Sequence, residues 1–380
     1  MKLALFYHSL ISDWNHGNAH FLRGVAGELL ARGHEVRVFE PADGWSAANL
    51  VCDHGEAPLA AFHAAYPRLA SERYGVVLDL DRALDGVDAV IVHEWNDPEL
   101  VARIGRHRAR GGRYALLFHD THHRSVTAPH EIARYDLGHY DGVLAFGHVI
   151  RDRYTARGWA QRAWTWHEAA DVRVFRPRPD LPRDGDVVWI GNWGDGERTA
   201  ELSAMLIKPV RALDIRALVH GVRYPPAARR ALAEAGIRYG GWLANWQVPQ
   251  VFARHRVTVH IPRRPYAEAL PGIPTIRVFE ALACGIPLVS APWRDEEALL
   301  TAGVDYLVAR DPDEMQRSLR AVLHDRVLAA ELASSGRRAI LARHTCAHRV
   351  DELFAILAEI GVVQEPPRPS SAAGIPTSAT

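Results

Sequence analysis

The chain has 380 residues, 48% hydrophobic and 24% charged, a length that exceeds one typical core and points to two domains of ordinary size. Forty-five basic side chains balance forty-five acidic ones, for a formal net charge of zero. That balance excludes an overall attraction to polyanions, so no nucleic-acid partner is expected.

Residues 3–7 open the chain as an apolar strand, without the h-region and cleavage site of a signal peptide. No later apolar run reaches the ~18 residues that span a bilayer. A cytoplasmic protein without a transmembrane segment is expected, and peripheral membrane contact stays open. Cys52, Cys284 and Cys346 lack the paired spacing of a zinc site or a disulfide framework, which fits a reducing compartment.

Short apolar runs ending in Gly, Asp or His clusters then alternate with segments of helical period, the βαβ pattern of a parallel sheet covered by helices. Strands are expected at 3–7, 36–39, 89–92, 114–118 and 143–146, and a second set at 187–190, 215–219, 257–261, 287–290 and 306–308. Between the sets, Pro177, Pro179 and Pro182 forbid continuous helix or sheet pairing. The expected division is an α/β domain over 1–172, a linker over 173–185 and a second α/β domain over 186–344. A last amphipathic helix over 345–362 is placed to fold back onto the first domain. Residues 363–380, rich in Pro, Ser, Ala and Thr, read as disordered. Ligands of open α/β sheets bind outside the carboxyl ends of the strands, so any chemistry belongs in the cleft between the domains.

Two segments could carry that chemistry. In 270–290, Pro274 suits the first turn of a helix and Gly285 its C′ position, bounding a helix over 275–284. Its free N-terminal amides and positive dipole end suit a diphosphate. Glu280 lies about one and a half turns in, a cleft-edge carboxylate by position. The other segment is Phe118-His119-Asp120-Thr121-His122-His123-Arg124, after the strand at 114–118. Its histidines and aspartate suggest a metal site, but consecutive histidines with no helix-spaced His-Glu pair or cysteine speak against one, and no metal ligand is assigned. His119, with an imidazole pKa near ~6.5, could hydrogen-bond a reacting group.

The run Glu280-Ala281-Leu282-Ala283-Cys284-Gly285-Ile286-Pro287-Leu288-Val289-Ser290 resembles the glutamate, small-residue helix, glycine and strand of group 1 (GT4-like) glycosyltransferases. More closely, Pro271–Gly285 with Gly191-Asn192-Trp193-Gly194-Asp195-Gly196-Glu197-Arg198-Thr199 is similar to the spore-maturation (CgeB-type) glycosyltransferases, and Gly17-Asn18-Ala19-His20 followed by Gly33-His34-Glu35-Val36-Arg37-Val38 also matches that family's glycine loop, helix and second strand. The resemblance spans most of residues 1–345. It implies a GT-B architecture, two Rossmann-like domains facing a cleft, and sugar transfer from a nucleoside-diphosphate sugar to a glycan, protein or small-molecule acceptor, with no obligate cofactor or metal. It implies ribose binding by Glu280 and a diphosphate cradle at Gly272, Ile273 and Thr275. Asn192, Arg198 and Arg263 join them on the donor side. His119 matches the family's cleft-facing histidine, and Asp120 and Arg277 are placed with it as catalytic candidates. Gly17, Asn18, His20, Glu94 and Trp95 are the acceptor-side candidates. Gly272 departs from the pattern, which has a second glutamate eight positions before Glu280. Glu268 has the wrong spacing to replace it, and Arg277 or the pair Arg263 and Arg264 could supply a polar contact instead. A nucleotide-sugar epimerase and a catalytically degenerate sugar- or nucleotide-binding module are the competing functions.

Overall fold

The computed structural model describes residues 1–194 and 196–362; the tail expected to be disordered lies outside them. The first sheet runs β3-β2-β1-β4-β5-β6-β7. Its strands are β1 (Lys2–Phe6), β2 (Glu35–Pro41), β3 (Ser71–Tyr74), β4 (Ala89–His93), β5 (Ala115–Asp120), β6 (Gly142–Ala145) and β7 (Ala163–Thr165). The second runs β10-β9-β8-β11-β12-β13, from β8 (Gly185–Ile190), β9 (Ala217–His220), β10 (Arg238–Tyr239), β11 (His255–His260), β12 (Leu288–Ser290) and β13 (Leu307–Val308). Every pairing is parallel. The fold is therefore α/β, with two Rossmann-like domains.

All ten expected strands form, with ends shifted by one or two residues. Central strands such as β4 are buried at every position, so helices on both faces demand an unbroken apolar run. The three unexpected strands, β3, β7 and β10, are short edges without a fully buried residue, so hydrophobicity does not announce them. Strand order reverses at β1/β4 and again at β8/β11. The loops after those strands form the crevices that open α/β sheets use for ligands.

Helix Cys346–Ile360 starts on a capping box between Thr345 and His348. It packs on helix Asn18–Ala31, and Val350, Leu353, Phe354, Ile356 and Leu357 complete the core around Val25 and Leu29. Trp166 Nε1 donates to the Arg349 carbonyl at 2.8 Å. The chain thus crosses back to the domain in which it began. No helix among the described residues is long and apolar enough to cross a membrane.

Candidate functional site

The site is built where the strand ends of the two domains meet. Helix Ile276–Ala283 is one residue shorter at each end than its sequence signals, and Gly285, at φ +67°, follows its last turn as a C′ glycine does. Val278, Phe279, Ala281, Leu282 and Ala283 fix the helix in the core. Glu280 is not at the edge of the cleft: it is 1% exposed. Its Oε1 lies 3.1 Å from His20 Nδ1 and 3.0 Å from Asn245 Nδ2, and Oε2 accepts from Arg277 at 2.6 Å. Burial opposes the charge, but Arg277, His20 and Asn245 outweigh it and hold the carboxyl below its ordinary range. His20 arrives from the first domain and Asn245 from the second, so this carboxylate lies on the seam between them.

At the start of the same helix, the Ile276 amide meets Glu168, whose pKa burial and the neighbouring Glu280 push up to about 8. Folded, Glu168 stays protonated while the unfolded chain ionises near 4.5, so its contribution to stability is full below 4.5 and is lost as pH rises through about 8. Glu168→Gln should therefore flatten the fall of melting temperature across that window. A slope equal to that of the unsubstituted protein, measured by thermal denaturation in a pH series, would reject this protonation state.

The cations sit in the loops after β8 and β11. Arg198 donates to the Ile261 carbonyl at 3.0 Å while its Nε has no partner, and burial together with Arg263 lowers its pKa to about 10. Arg263 pairs with Glu197. At Gly194, φ +84°, a Cβ would come within 3.3 Å of Arg198 Nε and 3.7 Å of Arg263 Nε, so the glycine leaves room for two guanidinium groups side by side. Such a pair suits an anion with several oxygens. Asn192 donates to Asn15 Oδ1 across the domain boundary and accepts from the Val222 amide.

Gly272 has φ +86°, and a Cβ there would lie 2.6 Å from both Cγ and Oε1 of Glu297. The glycine is required twice, by its left-handed backbone and by this close approach. Glu297 has a side chain only 3% exposed and accepts from the His148 amide at 2.7 Å and from His167 Nε2 at 2.8 Å. The carboxylate beside Gly272 is thus Glu297, whereas Glu268 is exposed. Ile273 packs into the first domain's core, against Gly147, and Thr275 Oγ1 lies 3.4 Å from His260 Nε2.

On the facing wall, β1, β4 and β5 bring Tyr7, His93 and His119 together. Tyr7 Oη lies 2.7 Å from His119 Nδ1, and its ring stacks on His93 at 4.8 Å. His119 is fully buried, and burial drives its pKa down to about 3 rather than leaving it near 6.5; its Nε2 has no partner. Asp120 does not join it. Strand alternation turns the carboxylate to the opposite face, where it accepts from Tyr154 Oη and the His122 amide, and burial raises its pKa to about 6. Arg277, the third catalytic candidate, is held by Glu280 instead.

Gly17 faces Ile276, with a built Cβ 3.9 Å from its Cγ2, so two helix N-termini look at each other across the seam. Both amide atoms of the buried Asn18 lack partners. Glu94 is buried in an ion pair with Arg124, whose guanidinium stacks on Trp95 at 4.1 Å. No group of three or more His, Cys, Asp or Glu among the described residues converges as a metal site would.

Sequence reasoning missed Glu168, Glu297, Asn245 and Tyr7. Glu168 and Glu297 reach the site from distant loops and Asn245 from the start of a short 3-10 helix, with no motif spacing. Tyr7 alone had a signal, since it closes the strand expected at 3–7 and directly follows β1.

A family model described as glycosyl transferase-like matches residues 198–355, which include Glu280 and both guanidinium groups. Over the whole chain the fold is similar to sucrose-phosphate synthase from Thermosynechococcus elongatus, with TM-score 0.64 and 15% identity, covering 95% of this chain and 99% of that one. It is also similar to HepE from Anabaena, solved with UDP and glucose, with TM-score 0.66 and 14% identity over 94% and 99% of the two chains. The T4 phage BGT, solved with its UDP-glucose substrate, gives 0.58 and 12% over 95% and 100%. No curated protein matches the chain in sequence. The protein has the fold of the GT-B glycosyltransferases, and its second half carries a glycosyl transferase-like sequence.

Proposed function

We propose that the protein transfers a sugar from a nucleoside-diphosphate sugar, with residues 186–344 holding the donor and residues 1–172 the acceptor, as a cytoplasmic enzyme akin to the CgeB-type group. The observation that carries this reading is Glu280. It is an ionised carboxylate oriented by three partners, inside a helix whose N-terminus lies on the seam opposite Gly17, and two vicinal ribose hydroxyls suit such an acceptor. Arg198 and Arg263 would take the charge that develops on the leaving diphosphate. His119, neutral, would turn Nε2 to a sugar hydroxyl, and Glu297 would stand beside the 272–275 loop where a second carboxylate is useful to the donor sugar. HepE and the phage BGT, solved with UDP or UDP-glucose, make UDP the first base to test.

The chemistry then rests on positioning and electrostatics, and turnover should survive EDTA. The experiment is a thermal-shift panel of nucleotide sugars, UDP-glucose first, followed by transfer and hydrolysis assays with and without chelator. Binding of none of the nucleotides rejects the reading. Loss of turnover on chelation, restored by Mn²⁺ or Zn²⁺, would make His122 and His123 ligands.

A further inference from the structure

The first domain's cleft face carries a second constellation, which the donor chemistry leaves unused. Trp45 and Trp95, both half-buried, stand edge to face with ring centroids 6.2 Å apart, Arg124 covers one face of Trp95 at 4.1 Å, and Trp95 continues to the His122 ring at 5.3 Å. Behind them His8 stacks on Trp45 at 4.5 Å, and His16 meets it edge-on at 6.0 Å. Beside these faces lie buried polar atoms with no partner: His16 Nε2 and His122 Nδ1. In a folded protein such atoms are normally satisfied, so this wall is short of hydrogen-bond partners that water or a ligand must supply.

The groups on offer are neutral. Burial lowers the pKa of His8 to about 4 and those of His16 and His122 well below the ordinary value. The charges beside the wall are paired: Arg124 with Glu94 and Glu131, and Asp13 with Arg23. Arg263, which reaches His122 from the donor side, is held by Glu197. The rim carries three carboxylates, exposed Asp43 acting on His8, Asp43 and Asp97 both acting on Tyr74, and Asp53 accepting from Trp14 Nε1 at 2.8 Å, against an exposed cation, Arg73, which donates to the Ala42 carbonyl beside Asp43. Aromatic faces with a few convergent neutral hydrogen-bonding atoms form a typical small-ligand lining, and an acidic rim repels anions.

We propose that this face binds the acceptor as an uncharged saccharide, one ring in the corner between the edge-to-face Trp45 and Trp95 indoles and its hydroxyls on His16 and His122. C–H faces of a sugar ring suit an indole, and a hydroxyl both donates to and accepts from the neutral atoms left over. That the saccharide is an acceptor rests on the donor-side reading; that it binds does not.

Calorimetric titration of the unsubstituted protein with maltose, cellobiose and chitobiose, with sulfated forms of the same sugars, and with a short DNA duplex tests the inference. At least one neutral sugar should bind, and more tightly than its sulfated form or the duplex. Trp45→Ala and Trp95→Ala should weaken that binding roughly 3- to 10-fold, and Trp45→Phe, which keeps an aromatic face, should weaken it less than Trp45→Ala. No binding of any neutral sugar, or tighter binding of the sulfated forms or DNA, overturns the inference. If an alanine variant fails to fold, the charge preference of the unsubstituted protein still decides. UDP titration is a separate arm: sugar binding without UDP binding removes the donor reading, and UDP binding without sugar binding removes only this one.

Discussion

Glu280→Ala is expected to weaken UDP binding by roughly 10- to 150-fold, the equivalent of ~1.5–3 kcal/mol for hydrogen bonds to a charged acceptor. The helix supplies the reason. In the proposed complex the diphosphate would lie at its N-terminus, where the Ile276 amide already meets Glu168, and a carboxylate about four residues further on, rising 1.5 Å per residue, would be within reach of the ribose. The burial of Glu280 adds a second effect that a cleft-edge residue would lack. Truncation strands Arg277, His20 and Asn245, and unsatisfied buried partners cost ~1–3 kcal/mol, so the melting temperature should fall as well. Glu280→Gln keeps the size and one acceptor and should lose less on both counts. Calorimetric titration with UDP, paired with a melt of each variant, measures the two effects separately. A folded Glu280→Ala protein that binds UDP as tightly as its parent would place the nucleotide elsewhere.

His119→Ala should lower turnover by ~10²-fold or more and leave UDP affinity almost unchanged, because in the proposed complex the ring would face the donor from the opposite wall. The pH profile discriminates further. With its pKa lowered to about 3 by burial, His119 stays neutral as pH falls through the usual histidine range, so its contribution should persist from pH 8 to pH 5. A rate that collapses with an apparent pKa near ~6.5 would mean that the ring titrates as an exposed histidine. An equal loss of UDP binding in the alanine variant would make His119 a structural prop.

The parts of this molecule legible in the sequence are those that the chain encodes locally. Buried central strands demand contiguous apolar residues, and Pro274 and Gly285 bracket the helix, so its place and the position of Glu280 within it follow within a residue or two. The cleft follows from the strand pattern by topology alone. Long-range coincidence was hidden. Glu297 meets Gly272 from a loop 25 positions away in the numbering, and nothing in the spacing of either announces the other. Asp120 misled for the opposite reason: next to His119 in sequence, it belongs to the other face of the sheet. The glutamate at the edge became a glutamate in the seam because His20 and Asn245 close over it, a packing fact that no helix pattern contains.

The return of the last helix has a consequence for how the chain folds as it is made. Val350, Leu353 and Leu357 are fully buried parts of the first domain's core, and the parallel bridge between Ala170 and Thr345 ties the return to the point of departure. A ribosome must therefore release the whole second sheet before the first domain receives its final packing layer. Although domains emerging during synthesis generally fold N-terminal first, here the later half is the one whose own core is complete earlier, and the earlier half must wait with helix Asn18–Ala31 uncovered.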